Sequence, residues 1–356
     1  MQSKLENSSR PVKAVALYSG GLDSTLAILT VLRQGIEVKA VTFLNHFGCD
    51  ISDKSSCSKD PFSAAEKFGF EVKLCHLADK FIRIVKDPKF GHGKNMNPCI
   101  DCRIFMLEMA KELMDVTGAD FIITGEVIGQ RPMSQTKDML YHIDREAGVI
   151  DLVLRPLSAK ILRATSPERR ELIDRDMLYA FSGRSRKPQM ALAIELGLED
   201  YPSPAGGCLL TEPNYAYRLK DLLTFDPAPS LRDVGLLRTG RHFRFSPSCK
   251  IVIGRDEAEN EIIESVATGA DRLLRVEGHG SPVTLVAGGV THEALKTAAA
   301  LCARYSDAKG LPFVDVRVFE GGPEYTISAE PAGDDVLREY RIELNPKTAS
   351  RKMRAL

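Results

Sequence analysis

The sequence predicts an α/β fold in which a parallel-sheet domain precedes a smaller α+β domain. Strand and helix patterns alternate from residue 12 to about residue 125, and a glycine turn directly follows the first strand. This alternation predicts a parallel sheet with helices on both faces. A proline-rich segment at 225–230 then separates this region from a series of short strand patterns around one helix. Ligands of such parallel sheets bind beyond the carboxyl ends of the strands.

Short apolar runs and helical spacing predict the elements of the first domain in chain order. The predicted strands are Val12–Tyr18, Glu37–Phe43, Glu71–Leu77 and Phe121–Thr124. The predicted helices are Ser24–Arg33, Pro61–Phe68 and Arg103–Thr117. Two long connections, 45–60 and 86–98, interrupt the alternation. Connections of that length are usually functional or mobile, and both follow predicted strands closely enough to lie near the ligand crevice.

The second domain is predicted from strand-like pieces around a helix. The predicted elements are strands Ile251–Ile253, Val283–Val286 and Phe313–Phe319 and the helix His292–Tyr305. We predict a lead-in at 1–11, a first domain at 12–224, a linker at 225–235, a second domain at 236–332 and a tail at 333–356.

Composition limits the class of protein. The 356 residues are 44% hydrophobic with a formal net charge of zero, and no apolar run reaches the roughly 18 residues of a membrane span. The N-terminus has no apolar signal core, so we expect a cytoplasmic protein without a membrane partner. Because the net charge is zero, a nucleic acid would have to be held by local basic patches.

The turn after the first strand is the best candidate for a phosphate site. Residues 19–25 read Ser-Gly-Gly-Leu-Asp-Ser-Thr and lead into the first helix. Backbone N–H groups and the helix dipole then point at one spot, which suits an anion. Asp23 would repel a phosphate unless a cation such as Mg²⁺ lay between them. The candidate nucleotide-binding residues are Ser19, Gly20, Gly21, Asp23, Ser24 and Thr25.

Three cysteines form the second candidate site. Cys99 and Cys102 make a Cys-x-x-Cys that opens a predicted helix, and Cys208 follows two glycines on a loop. Eight cysteines in a chain without a secretion signal are more typical of metal ligands or catalytic groups than of disulfides. Three thiolates with an open position suit a [4Fe–4S] cluster, and they also suit a sulfur carrier in which two cysteines form a transient disulfide. A structural zinc site stays open, with the fourth ligand drawn from Cys49, Cys57, His46 or His92.

The motif Ser-Gly-Gly-x-Asp-Ser after an N-terminal strand resembles the PP-loop of the ATP pyrophosphatase superfamily. Together with Asn-Pro-Cys-x-x-Cys and a distant cysteine, it resembles the tRNA thiouridine synthetases. The resemblance implies that ATP is cleaved between its α and β phosphates, that Asp23 helps to place Mg²⁺, and that Gly125 ends a strand of the nucleotide crevice. Because all three cysteines are present, the chain follows the cluster-bearing TtuA-type pattern more closely than the MnmA type. A histidine motif common in relatives is replaced by the segment around Arg131, a candidate for contact with phosphate or RNA.

The C-terminal region resembles the RNA-binding domain that ends the NFACT proteins. The specific parts are a Gly-Arg-x-x-x-x-Asn at 254–260 and an alanine-rich stretch that leads into Tyr-Ser-x-Ala-Lys at 305–309. The resemblance implies an RNA-binding module, and Arg241, Arg255, Arg304 and Lys309 are its candidate phosphate contacts.

These patterns predict an enzyme, an ATP-dependent tRNA sulfurtransferase. Its catalytic residues would be Asp23, Cys99, Cys102 and Cys208, and its cofactors ATP, Mg²⁺ and a [4Fe–4S] cluster, with zinc or no metal as alternatives. Its partners would be tRNA and a sulfur donor, namely sulfide, a cysteine desulfurase or a sulfur carrier, and a homodimer is left open. Three other functions stay open: a cluster-free thiolase that uses a persulfide, an enzyme that adenylates a small molecule, and a non-catalytic protein that binds ATP and RNA.

Overall fold

The structure is a computed structural model that describes residues 10–45, 47, 60–131, 133–202, 208–319 and 322–343, with backbone alone for Ala78 and Asp79. The chain divides into two compact units, Met1–Cys208 and Leu209–Leu356. No helix in the described ranges is both long enough and apolar enough to cross a membrane.

The first unit is built on a five-stranded sheet. Its strands are β1 (Lys13–Leu17), β2 (Glu37–Leu44), β3 (Glu71–His76), β4 (Phe121–Thr124) and β5 (Val153–Leu154). All pairings are parallel, and the strand order is β3-β2-β1-β4-β5. The chain adds β2 and β3 on one side of β1 and β4 and β5 on the other. The carboxyl ends of β1 and β4 therefore meet at the point where the order reverses, which is where such sheets bind ligands.

Helices cover this sheet. They are α1 (Leu22–Leu32), α2 (Pro61–Phe68), α3 (Ala78–Lys86), α4 (Cys99–Thr117), α5 (Lys137–Glu146), α6 (Ser166–Arg169) and α7 (Lys187–Glu195). The buried residues of α1 pack in one core with β1, β4 and α7. The predicted α/β class is confirmed, and the four predicted strands lie within a residue of those observed. Helix α3 was not predicted, and α4 begins at Cys99, four residues before the predicted start at Arg103.

The second unit is an antiparallel sheet between helices. Its strands are β6 (Arg241–Ser246), β7 (Cys249–Ile253), β8 (Arg272–Val276), β9 (Thr284–Gly288), β10 (Val314–Phe319) and β11 (Tyr325–Ala329). Its helices are α8 (Pro213–Phe225), α9 (Leu231–Leu236), α10 (Glu257–Val266), α11 (His292–Arg304) and α12 (Asp334–Tyr340). The strand order is β11-β10-β8-β9-β7-β6. One face packs on α11 through Phe243 and Ile251, and the other packs on α9 and α10 through Val252 and Leu273.

The compact units divide earlier than the predicted linker at 225–235. Helix α8, which the sequence analysis placed in the first domain, belongs to the second unit. Asp221 on α8 pairs with Arg244 on β6 at 2.6 Å, and the Arg218 guanidinium donates to the carbonyl of Leu237 at 3.1 Å. These contacts tie α8 to the antiparallel sheet.

Candidate functional site

The turn between β1 and α1 is held in shape by its own hydroxyl groups. Gly20 has a φ of +70°, in the left-handed region that glycine adopts without strain. The hydroxyls of Ser24 and Thr25 both donate to the carbonyl of Gly21, at 2.9 and 3.0 Å, and the Ser19 N–H donates to Ser24 Oγ at 3.3 Å. The first N–H groups of α1 have no partner within the helix, so the fixed turn presents them to an anion.

Gly125, directly after β4, touches the start of α1. A Cβ atom at this position would lie 2.5 Å from Ser24 N and 2.7 Å from the carbonyl carbon of Asp23. No side chain fits at that distance, so glycine allows the end of β4 to pack on the helix N-terminus. The contact places the residues after β4 beside the candidate phosphate turn.

The carboxylate of Asp23 is only partly satisfied. Its Oδ2 accepts a hydrogen bond from Gln130 Nε2 at 2.9 Å. Its Oδ1 is buried and has no hydrogen-bond partner among the described residues. A buried carboxylate oxygen that lacks a partner is costly, and a hard cation such as Mg²⁺ would satisfy it. The Oδ1 atom of Asp23 is therefore a suitable ligand for the predicted Mg²⁺. Gln130 was not predicted as a site residue, because it is far from Asp23 in sequence and no local pattern indicates that the two side chains are in contact.

A buried ionic network begins one residue after Gly125. Glu126 Oε2 accepts from Arg155 Nε at 2.9 Å and from Thr124 Oγ1 at 3.0 Å, and Glu126 Oε1 lies 3.5 Å from Arg103 Nε. Arg155 also binds both carboxylate oxygens of Asp144, at 2.8 and 2.7 Å. The charges of two carboxylates and two guanidinium groups thus cancel. None of these four residues was predicted from the sequence as a site residue.

The network keeps Glu126 ionised although it is almost fully buried. Burial alone would raise the pKa of Glu126, but the charges of Arg103 and Arg155 outweigh burial and bring the pKa below its ordinary value. The two carboxylates raise the pKa of Arg155 in turn. Such a pair is stable only while both partners stay in place.

The cysteine pair lies on the first turn of α4. Cys99 is the first residue of the helix, and the N–H of Cys102 donates to the carbonyl of Pro98 at 2.8 Å. Residues three apart on a helix share a face, so these two half-buried side chains are neighbours. Arg103, next to Cys102, makes the ion pair with Glu126. The pair is therefore linked, through Arg103 and Glu126, to Gly125 and the candidate phosphate turn.

The described cysteine and histidine side chains do not form the ligand set of a zinc ion or a cluster. Across the described ranges, no three His, Cys, Asp or Glu side chains are close enough to hold one metal ion. Cys208 Sγ instead donates to the carbonyl of Phe47 at 3.3 Å. His92, offered as a zinc ligand, has its Nε2 atom 2.7 Å from the carbonyl of Val85. Of the other proposed ligands, Cys49, Cys57 and His46 lie outside the described residues.

Most of the predicted RNA contacts are engaged within the second unit. Arg241 stacks on the ring of Tyr305 at 4.4 Å and donates to a backbone carbonyl at 3.1 Å. Arg255 forms an ion pair with Glu259 one helical turn away. Arg304 pairs with Asp334 at 2.7 Å. Lys309 is exposed, and so is Arg131 in the first unit.

Two family models match separate parts of the chain. Residues 11–160 match the model described as thiamine biosynthesis protein (ThiI), and residues 240–341 match the model described as NFACT protein RNA binding domain. The chain thus combines both segments, and the two resemblances inferred from the motifs are confirmed.

Curated relatives match the first segment. The chain is 32% identical over 148 residues to a tRNA-specific 2-thiouridylase MnmA of Symbiobacterium thermophilum, covering 35% of this chain and 37% of that protein. It is 32% identical over 150 residues to a probable tRNA sulfurtransferase of Thermoanaerobacter sp. strain X514, covering 41% of this chain and 36% of that protein. The chain therefore spans about a third of the length of the curated relatives it matches.

Solved structures overlap the chain only partly. A 4-thiouridine synthetase–RNA complex with bound ATP gives a TM-score of 0.34 at 23% identity, covering 52% of each chain. The C-terminal part of a fibronectin/fibrinogen-binding protein from Streptococcus suis gives a TM-score of 0.27 at 13% identity, covering 44% of this chain and 78% of that one. Overlaps this partial support no conclusion about function.

Proposed function

We propose that the chain is an ATP-dependent tRNA sulfurtransferase. One observation carries the proposal: the candidate phosphate turn and the cysteine pair belong to one connected structure. Ser24 touches the position of Gly125, Glu126 follows Gly125, and Glu126 pairs with Arg103 beside Cys102. The matched models and the relatives' names support tRNA thiolation over other uses of such a turn.

In the proposed reaction, ATP lies with its phosphates against the N-terminus of α1. A carbonyl oxygen of a tRNA base attacks the α-phosphorus, and pyrophosphate leaves. The N–H groups of the turn would stabilise the charge that develops on the phosphate. Mg²⁺, held by Asp23, would neutralise phosphate charge when bound. The base must be outside a helical stack to reach the α-phosphorus.

Sulfur would reach the activated base from a cysteine persulfide. The terminal sulfur of the persulfide attacks the activated carbon, AMP leaves, and the base is joined to the cysteine through a disulfide bond. The thiolate of a second cysteine attacks the protein sulfur, which releases the thiolated base and leaves a disulfide between two cysteines. A dithiol reductant then restores both thiols. Cys99, Cys102 and Cys208 are the candidates for these roles. No step uses a cluster, because the described side chains do not form its ligand set.

The test removes the pair on α4. We expect Cys99→Ser together with Cys102→Ser to abolish the thionucleoside in tRNA, measured by mass spectrometry of digested tRNA, while ATP binding is retained. Cys75→Ser, a half-buried cysteine in β3, is the matched control and should leave thiolation unchanged. Retained thiolation in the double variant would sink the proposal. Iron and sulfide assays on anaerobically purified protein would show whether a cluster is bound.

A further inference from the structure

The face of β6 and β7 that lies toward α8 carries three basic side chains. Arg244 on β6 lies directly opposite Lys250 on β7, and His242 lies two residues from Arg244 on the same face. Cations directly opposite one another in a sheet are destabilising. Sequences that break a local rule of this kind often do so at functional sites.

Among Arg244, Lys250 and Arg218, which lies on α8, only Arg244 has a carboxylate within ion-pair distance in the described part of the chain. Arg244 pairs with Asp221 on α8, as described above. Glu212 and Glu343 act on Arg218 only from farther away. The cluster therefore has an excess of positive charge.

Two buried nitrogen atoms in this cluster lack hydrogen-bond partners among the described residues. Arg218 Nε is buried without a partner, and so is His242 Nδ1, although His242 is only 1% exposed. The other ring nitrogen of His242 lies 2.9 Å from the carbonyl of Thr239, so Nε2 must donate there. Buried polar atoms are rarely left unsatisfied in folded proteins, and such atoms call for a ligand or water.

The surroundings make protonation unfavourable in the absence of an anion. Burial and the nearby charges of Lys250, Arg218 and Arg255 hold the pKa of His242 well below its ordinary value. Lys250 keeps part of its surface in contact with solvent, yet burial and Arg244 lower its pKa to about 7. Asp221 on α8 and Asp233 on α9 oppose this shift, whereas Arg218 adds to it. A bound anion would favour the protonated forms of His242 and Lys250 and so raise the pKa of both side chains.

We propose that Arg218, His242 and Lys250 form a binding site for a phosphate group in the second unit. The partly exposed Arg218 and Lys250 would donate to the phosphate oxygens from the rim. His242 Nδ1 would take up a proton as the anion binds and donate from below. The predicted RNA contacts Arg241, Arg255 and Arg304 are engaged with other groups of the unit, whereas in this cluster the donor Arg218 Nε has no partner among the described residues.

A phosphate group could come from the RNA backbone or from a free anion. The RNA source rests on the proposed function, and the match of residues 240–341 to an RNA-binding domain supports it. The free-anion source does not depend on that function, so two arms of one experiment separate them. Each arm uses the full chain and compares it with Lys250→Met.

The first arm follows inorganic phosphate by ¹⁵N NMR of the seven histidines after selective labelling. We expect one imidazole to shift toward the protonated form with saturable dependence on phosphate, and we expect Lys250→Met to remove that shift. The variant His242→Gln assigns the signal. Lys296→Met, which removes an exposed lysine on α11, is the charge-matched control and should leave the titration unchanged.

The second arm measures binding of an unmodified tRNA transcript by fluorescence anisotropy at fixed salt. We expect Lys250→Met to weaken binding about three- to tenfold at pH 6 and to lower the salt slope by about one. Because Lys250 loses its proton as the pH rises through about 7, wild-type affinity should fall between pH 6 and pH 8.5, and the variant should show a weaker dependence.

The outcomes are separable. A response in both arms supports a site for the RNA backbone. A response to inorganic phosphate alone supports the site with a free anion as its ligand. If wild-type protein does not bind tRNA at all, the proposed function fails while the phosphate titration still decides the site. If neither arm responds to Lys250→Met in protein with an unchanged thermal unfolding curve, the site is refuted.

Discussion

At the scale of single residues, Gly125 has the most demanding environment in the candidate nucleotide site. We predict that Gly125→Ala weakens ATP binding by about tenfold or more, because the new Cβ would meet backbone atoms of Ser24 and Asp23 and displace the start of α1. The unfolding free energy should fall by about 1–3 kcal/mol, as for other overpacked positions. Isothermal titration calorimetry and urea unfolding would measure the two effects.

Gly235→Ala is the control for this prediction. Gly235 is exposed on α9 in the second unit, and a Cβ atom added there would have no neighbouring atom within 4 Å. The change should leave both ATP binding and stability close to wild type. Normal ATP affinity in Gly125→Ala would contradict the placement of the nucleotide at the junction of β4 and α1.

At the scale of elements, the buried network joins α4, α5, β4 and the start of the segment after β5. We predict that Glu126→Gln lowers the unfolding free energy by about 3 kcal/mol at pH 7, because it leaves the buried Arg155 guanidinium with only Asp144 and removes the partner of the half-buried Arg103. Glu112→Gln, an exposed change on α4, should stay within about 0.5 kcal/mol of wild type.

The same network predicts how the free energy of unfolding depends on pH. The pKa of Glu126 in the folded protein lies below its value of 4.5 in the unfolded chain, so its ionisation stabilises the fold above about pH 4.5. That contribution is lost as the pH falls through the lowered folded pKa. The difference between wild type and Glu126→Gln should therefore be largest near neutral pH and shrink in acid. A difference that grows below pH 4.5 in urea unfolding would contradict the assigned ion pairs.

The elements also show what could be predicted from the sequence. The turn at residues 19–25 and the strand before it have local signatures, so both were placed correctly. The Cys-x-x-Cys was placed at a helix start for the same reason. The contacts of Gln130 with Asp23 and of Glu126 with Arg155 join residues that are distant in sequence, and a single sequence gives no signal for such pairs. Helix α3 was not predicted although Phe81, Ile82 and Val85 mark a buried face at helical spacing, because it lies between a predicted strand and a segment that was interpreted as a long connection.

At the scale of the whole molecule, the chain joins two compact units that have separate cores. One carries the candidate nucleotide turn and the cysteine pair, and the other carries the proposed phosphate site. Joining two binding modules in one chain raises the effective concentration of each at the other's ligand. A tRNA held by the second unit would therefore meet the first unit more often than free tRNA would.

This division of roles predicts independent binding defects. Asp23→Asn should weaken Mg²⁺-dependent ATP binding by about tenfold, since it removes the charge that would hold the cation, and it should leave tRNA affinity unchanged. Lys250→Met should do the reverse. In the double variant each dissociation constant should match that of the corresponding single variant within about twofold, as expected for sites in separate units without shared partners. Equilibrium dialysis with ATP and anisotropy with a tRNA transcript would measure both. If Asp23→Asn weakened tRNA binding as much as Lys250→Met does, ATP and tRNA binding would be coupled, and the assignment of each ligand to its own unit would be wrong.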